Sequence, residues 1–249
     1  MDIDHILAHH LLDRRIAYLF NIGPIPIYLT DHVVMMLIAS FLLIAFTLYA
    51  LKSKSGLGMK SASVFEMAIV YIRDEIVRPN LGVRGDKYLP YFLTLFFFIL
   101  LCNLMGLVPY GKTATSNIAV TGAMALATFI LINISGISEQ GLGHYLKSFI
   151  HEGLPWPLVP IMFLLEVLGL FTKAFALCIR LFANMIAGHI AILVLICLIF
   201  LFQNLWIAPA SIIAAVAVSL LEVFICFLHA YVFTLLTALF VGMAVNPQH

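Results

Sequence analysis

From about Pro157 to Phe202 the chain runs through about 46 mostly apolar residues, which at 1.5 Å per residue would make a helix about 70 Å long. That is roughly twice the ~30 Å hydrocarbon core of a bilayer. A helix of this length must tilt strongly, kink or lie nearly in the membrane plane. A second apolar run, from about Ser211 to Val245, follows a turn that begins at Gln203-Asn204 and ends near Pro209. Together they predict a long, strongly tilted C-terminal helical hairpin at residues 156–203 and 210–245.

The rest of the chain fits the same solvent. Of 249 residues, 63% are hydrophobic and 10% charged, against about 25% charged in a soluble domain. We expect a single membrane domain over residues 1–249 and an all-α integral membrane protein, with three transmembrane helices ahead of the hairpin at 29–52, 91–108 and 114–138. Lys52, Lys54, Lys60, Arg73, Arg78, Arg84 and Lys87 fall in the 53–90 connection. The positive-inside rule makes that connection cytoplasmic. Within it, Val64, Phe65, Ala68, Tyr71 and Ile72 have helical spacing, which predicts an amphipathic interfacial helix over 61–78 that Pro79 helps to end. Counting crossings from there puts the N-terminus and the Gly111-Lys112-Thr113 link outside, and the 139–153 segment and the C-terminus in the cytoplasm.

Residues 1–28 read as an N-terminal interfacial segment, with a loosely helical pattern over 4–20 that stops near Gly23-Pro24. The opening Met1-Asp2-Ile3-Asp4 has no basic stretch followed by an apolar core, so the segment is expected to remain in the mature chain.

Several functions are disfavoured at this level. A net charge of +1 gives no electrostatic case for nucleic acid. Cys102, Cys178, Cys197 and Cys226 sit in apolar runs without C-x-x-C spacing and read as small buried apolar residues. His5 and His9 have the i, i+4 spacing of a metal pair but no evident third ligand, so no metal is expected. Gly106-Leu107-Val108-Pro109-Tyr110-Gly111-Lys112-Thr113 matches the phosphate-loop pattern. Such a loop needs a strand before it and a helix N-terminus after it, whereas this one follows a spanning helix and holds Pro109, so the match reads as chance. With no other nucleotide or nucleophile signature, neither bond-making chemistry nor a cofactor is expected.

The long hairpin holds Glu166, Lys173, Arg180, His189, Glu222 and His229, while the centres of the first three spans hold no acid, base or histidine. Charged groups at bilayer depth cost several kcal/mol, so they normally face a partner or a water-filled cavity and mark ion paths. Glu166, Lys173 and Arg180 are seven residues apart, and each such step drifts only about 20° around a helix. Glu222 and His229 repeat the interval on the second helix. Two polar stripes on facing helices are what a hydrated proton path needs. The plain structural alternative is that these residues pair only to hold the hairpin together, but bases and imidazoles outnumber carboxylates, which invites a carboxylate from another chain.

The stretch from Glu166-Val167-Leu168-Gly169-Leu170-Phe171-Thr172-Lys173 through Arg180-Leu181-Phe182-Ala183-Asn184-Met185 to Gly188-His189 closely resembles subunit a of the F-type ATP synthase. Asn103-Leu104-Met105-Gly106-Leu107-Val108-Pro109 and Thr115-Ser116-Asn117-Ile118-Ala119-Val120-Thr121 resemble family segments in the same order. The likeness covers nearly the whole chain and is weakest before residue 60.

The resemblance implies a non-catalytic, proton-translocating stator subunit in the membrane sector of an ATP synthase. It also implies two half-channels beside a rotating c-subunit ring, with ATP formation elsewhere in the complex. Arg180 matches the family's essential arginine. A guanidinium does not deprotonate, so it can draw an ionised ring carboxylate past it while blocking a direct leak. Lys173 is counted with the proton-translocation residues; Glu166, about 21 Å before Arg180 along the helix, belongs with the cytoplasmic half-channel, and Asn184, His189 (about 13 Å beyond Arg180), Glu222 and His229 belong with the opposite one. The implied partners are the c-ring through its membrane carboxylate, b-type peripheral-stalk subunits, other ATP synthase subunits and membrane lipid, in the inner (plasma) membrane of a bacterium.

Two departures stand out. His189 occupies a position where many members have an acid, and Glu222 one where they have a histidine, so the exchange reads as compensatory. Ala174-Phe175-Ala176 replaces a frequent Pro-Ser, removing a hydroxyl from the path. Against the proton-path reading stand a secondary transporter, which should show paired halves with interrupted helices, and a membrane anchor, which has no use for six intramembrane ionisable groups.

Overall fold

The computed structural model of the chain describes residues 15–22, 25–52, 57–108, 113–150, 155–202 and 207–246. The His5 and His9 pair, and the first part of the helix expected over 4–20, lie outside the described residues. Where the described chain begins it corrects that expectation, because residues 15–20 are strand. β1 (Arg15–Ile22) pairs antiparallel with β2 (Ile25–Thr30). The stretch is rich in β-branched and aromatic residues, and Pro26 has no N–H for a helical bond. Tyr18 and Tyr28 face each other across the pair with ring centroids 5.9 Å apart.

Every described element that follows is helical. The elements are α1 (Asp31–Lys52), α2 (Leu57–Tyr71), α3 (Arg78–Leu81), α4 (Leu89–Gly106), α5 (Ile118–Gln140), α6 (Leu142–Lys147), α7 (Val159–Phe202) and α8 (Ile207–Val245). A π-helical turn, Ile72–Val77, joins α2 directly to α3. Pro79 therefore does not end the amphipathic helix. It sits in the first turn of α3, just past the wider π turn, a local adjustment by which a helix accommodates a proline. The helix stops three residues later at Gly82, whose φ of 66° is open to glycine at little steric cost.

Among the described residues five helices are long and apolar enough to cross a membrane: Asp31–Tyr49, Val83–Gly106, Ile118–Gln140, Trp156–Leu198 and Pro209–Val245. α7 has 44 residues and α8 has 39, or about 66 Å and 58 Å of helix. Both exceed a hydrocarbon core, so they are tilted. Pro160 is the second residue of α7, where the backbone N–H has no helical acceptor in any case. Past the β1–β2 pair the chain is thus an all-α, multi-pass membrane protein. Large apolar side chains such as Phe175 (66% exposed) and Phe41 (71%) stand outward on its helices, as lipid-facing or partner-facing surfaces require.

The chain divides into two compact units. The first draws on Met1–Thr47, Phe97–Val120 and Leu181–Ala230; the second draws on Leu48–Phe96, Thr121–Arg180 and Tyr231–His249. In the first unit Ile99, Cys102, Leu181, Met185 and Cys226 are buried. In the second, Ile72, Ile76, Phe92, Ile132 and Val241 are buried.

Polar ties hold helix ends of the second unit together. Arg78 grips Asp86 with Nη2 to Oδ2 at 2.9 Å and Nε to Oδ1 at 3.2 Å. Lys87 and Arg84 both pair with Glu139 at the end of α5. Gln140 Nε2 donates to the Ala244 carbonyl at 2.6 Å, satisfying a carbonyl in the last turn of α8 that has no helical partner. Nearby, Gly242 lies so close to the Asn80 carbonyl that a Cβ there would collide with backbone.

Candidate functional site

In the first unit, α7 and α8 bring His189 and Glu222 together. Nδ1 of His189 is 3.6 Å from Oε1 of Glu222, within ion-pair range and longer than a direct hydrogen bond. The other ring nitrogen, Nε2, is hydrogen-bonded to the Thr113 hydroxyl. Glu222 is only 2% exposed, and neither carboxylate oxygen has a hydrogen-bond partner among the described residues. The carboxyl lies against bare helix backbone, since a Cβ added at Gly188 would fall 2.6 Å from Oε1. A buried carboxylate with spare acceptor capacity is costly unless a cation or proton meets it. An imidazole one step away can hand it that proton and take it back.

Around this pair the structure places polar groups that sequence reasoning did not assign. Thr115 Oγ1 donates to Asn103 Oδ1 at 2.6 Å, and Asn103 Nδ2 donates to the Cys226 carbonyl at 3.5 Å, one turn beyond Glu222. Asn103, Thr113 and Thr115 are all buried. A signal for Asn103 and Thr115 exists in the sequence, because both stand in segments that resemble the family. Thr113 was hidden as the last letter of the apparent phosphate loop, of which 109–112 lie outside the described residues. Asn184 is exposed on α7, and His229 is half-buried on α8, in the same unit.

The other predicted residues belong to the second unit. Glu166 and Lys173, both half-buried on α7, line a cavity of about 760 Å³ to which Arg78, Asn80, Tyr145 and Ser148 contribute polar groups. Lys173 Nζ lies 5.4 Å from the centre of the Phe240 ring, close enough for a cation–π attraction. Burial pushes the Tyr145 phenol up from its ordinary value. It therefore stays neutral, and its hydroxyl donates to Asn133 Oδ1 at 3.1 Å. Arg180 is exposed on α7 and makes no ion pair among the described residues. Nor do three His, Cys, Asp or Glu side chains among the described residues converge as a metal site.

Ionisable groups set within two overlong apolar helices, with a buried carboxyl–imidazole pair in the first unit and a polar cavity in the second, define a multi-pass ion-pathway protein. The ATP synthase A chain family model matches residues 33–242. The chain is 46% identical over 231 residues to "ATP synthase subunit a" of Myxococcus xanthus (strain DK1622), an alignment covering 91% of this chain and 76% of the relative. It is 44% identical over 257 residues to the protein of the same name from Chloroherpeton thalassium, covering 99% and 77%. With that of Anaeromyxobacter sp. (strain Fw109-5) it shares 43% over 248 residues, covering 98% of this chain and 61% of the relative. The chain belongs to the ATP synthase subunit a family, the stator subunit of the membrane sector, which serves proton transport in ATP synthesis.

Proposed function

We propose that the chain forms two proton half-channels against the rotating c-ring and couples proton flow through them to ring rotation. The observation that carries this reading is the buried His189–Glu222 pair between α7 and α8. It is a proton-exchanging site inside apolar sequence. Asn184 and His229 extend that outer half-channel, and Glu166 and Lys173, on their cavity, serve the cytoplasmic one. Arg180 meets the membrane carboxylate of each passing c subunit. Its permanent charge pulls the carboxyl into its ionised form and prevents a proton from crossing directly between the half-channels.

The chain makes no covalent bond itself; ATP forms elsewhere in the complex. Its partners on this reading are the c-ring, b-type peripheral-stalk subunits and the remaining ATP synthase subunits, with lipid on the outward apolar faces. It resides in the inner membrane of a bacterium, with its N-terminus outside and its C-terminus in the cytoplasm.

Sidedness tests this directly. In a background with Cys102, Cys178, Cys197 and Cys226 replaced by Ala, Glu166→Cys and Asn184→Cys are each probed in oriented vesicles with a membrane-impermeant thiol reagent. Position 166 is expected to react only from the cytoplasmic face and position 184 only from the other. Reaction of both from one face would overturn the two-half-channel reading.

A further inference from the structure

We propose that Thr113 is a positioning residue of the outer half-channel, holding the His189 ring in the one rotation that turns Nδ1 to Glu222. The proposal rests on the half-channel reading above and adds a residue to it. An imidazole passes a proton to a carboxylate only if the correct nitrogen faces it, and a free ring can turn away. Here Nε2 is engaged by the Thr113 hydroxyl while Nδ1 stands 3.6 Å from Oε1. A hydroxyl donates to a bare ring nitrogen and accepts from a protonated one. The same contact therefore serves both neutral tautomers and the imidazolium, and the ring keeps its orientation through a complete cycle of proton uptake and release.

Thr113 is itself held in place. It is 3% exposed. Its carbonyl accepts from the Ser116 hydroxyl at 2.8 Å and from the Ser116 N–H at 3.1 Å, which closes the tight turn Ala114–Ser116. That turn is fastened by Thr115 to Asn103 on α4, and Asn103 reaches the Cys226 carbonyl on α8, the helix that carries Glu222. Gly106 leaves the room: a Cβ there would collide with the Thr113 side chain and come within 3.1 Å of Nε2. The polar contacts thus form a closed circuit from α8 through α4 and the turn to α7 and back. Among the described residues the ionisable group facing His189 is Glu222 on α8; the turn and α4 present the uncharged Thr113 and Gly106.

The test measures proton uptake by liposomes holding the assembled membrane sector, across pH 5–9, for the native chain, Thr113→Val, Thr113→Ser and Glu222→Gln. Thr113→Val keeps the shape and removes the hydroxyl. It is expected to slow flux by about tenfold, less than the ~10²-fold that a 1 Å misplacement of a reacting group can cost, and to move the pH of half-maximal flux. Thr113→Ser is expected to restore flux to within about threefold of native together with the native pH profile, because it keeps the hydroxyl. If assembled Thr113→Val matches the native rate and profile while Glu222→Gln is slow, the positioning role is wrong and the half-channel reading survives. If Thr113→Ser is as slow as Thr113→Val, bulk rather than the hydroxyl matters and the proposal fails. If Glu222→Gln itself runs at the native rate, the half-channel reading fails and takes this proposal with it.

Discussion

Nδ1 of His189 and Oε1 of Glu222 face each other at 3.6 Å from two different helices, with the carboxyl resting on the backbone at Gly188. Because the acid stands on α8 and the imidazole on α7, their exchange should be tolerated as a pair and resisted singly. His189→Glu places two acids together, and Glu222→His places two imidazoles together. Each is expected to lower proton flux by about tenfold or more, whereas the double variant returns most of it, a coupling that residues in contact can show. Flux through the reconstituted membrane sector checks this. Additive losses in the double variant would mean that the two side chains do not act together.

That pair shows what was legible in the sequence. Glu166, Lys173, Arg180, His189 and Glu222 stand out because each interrupts a run in which charge is expensive, and the length of α7 could be read from the same run. The contacts of Thr113 could not be read. A single threonine carries no pattern of its own, and only the fold brings it to a histidine 76 positions away. The strand pair at the start of the described chain was missed for a different reason. Over residues 15–20 a short apolar run fits a loose helical spacing about as well as a strand, and the cross-strand partner that decides between them, such as Tyr28 for Tyr18, is not local.

Lys173 and Glu166 share one cavity, yet they should respond differently to substitution. Lys173→Ala leaves the Glu166 carboxylate with one cation fewer nearby, and Glu166→Gln removes a proton-carrying group from the cavity. Glu166→Gln is expected to slow flux by about tenfold or more, because it removes a group that can carry a proton, with a smaller effect from Lys173→Ala. Measured flux in which Lys173→Ala is the more damaging of the two would argue that the cavity acts mainly through its positive charge.

The close approach of Gly242 to the Asn80 carbonyl makes a stability prediction. Gly242→Ala inserts a methyl group against backbone that cannot swing aside, an overpacking that costs about 1–3 kcal/mol. The variant should unfold at lower temperature in detergent and assemble less well. Native thermal stability would mean that α8 can shift away from Asn80 at no penalty.

Asp74 supplies a dependence on pH. It accepts hydrogen bonds from Arg73 Nε at 2.9 Å and Nη2 at 3.2 Å, with Arg78 Nη1 at 3.3 Å. The hydrogen bond from Arg73, aided by the charges of Arg73 and Arg78, holds its carboxyl below the usual carboxylate range. A carboxylate lowered on folding stabilises the fold above its unfolded value, near 3.9, and that contribution is lost as pH falls through the folded value. Amide exchange in Ile72–Val77, corrected for intrinsic rates, should therefore rise below about pH 4 in the native chain. Asp74→Asn should show faster exchange already at pH 7 and no acid step. An acid step of native size in that variant would assign the titration to another group.

Coupling of proton flow to rotation by Arg180 is read out by ATP synthesis driven by an imposed proton gradient in proteoliposomes holding the whole complex. With assembly verified and ATP hydrolysis by the head intact, Arg180→Ala is expected to abolish synthesis, because nothing then draws the ring carboxylate into its ionised form or blocks the leak beside it. Synthesis at the native rate in that variant would show that Arg180 is structural and that rotation is coupled without it.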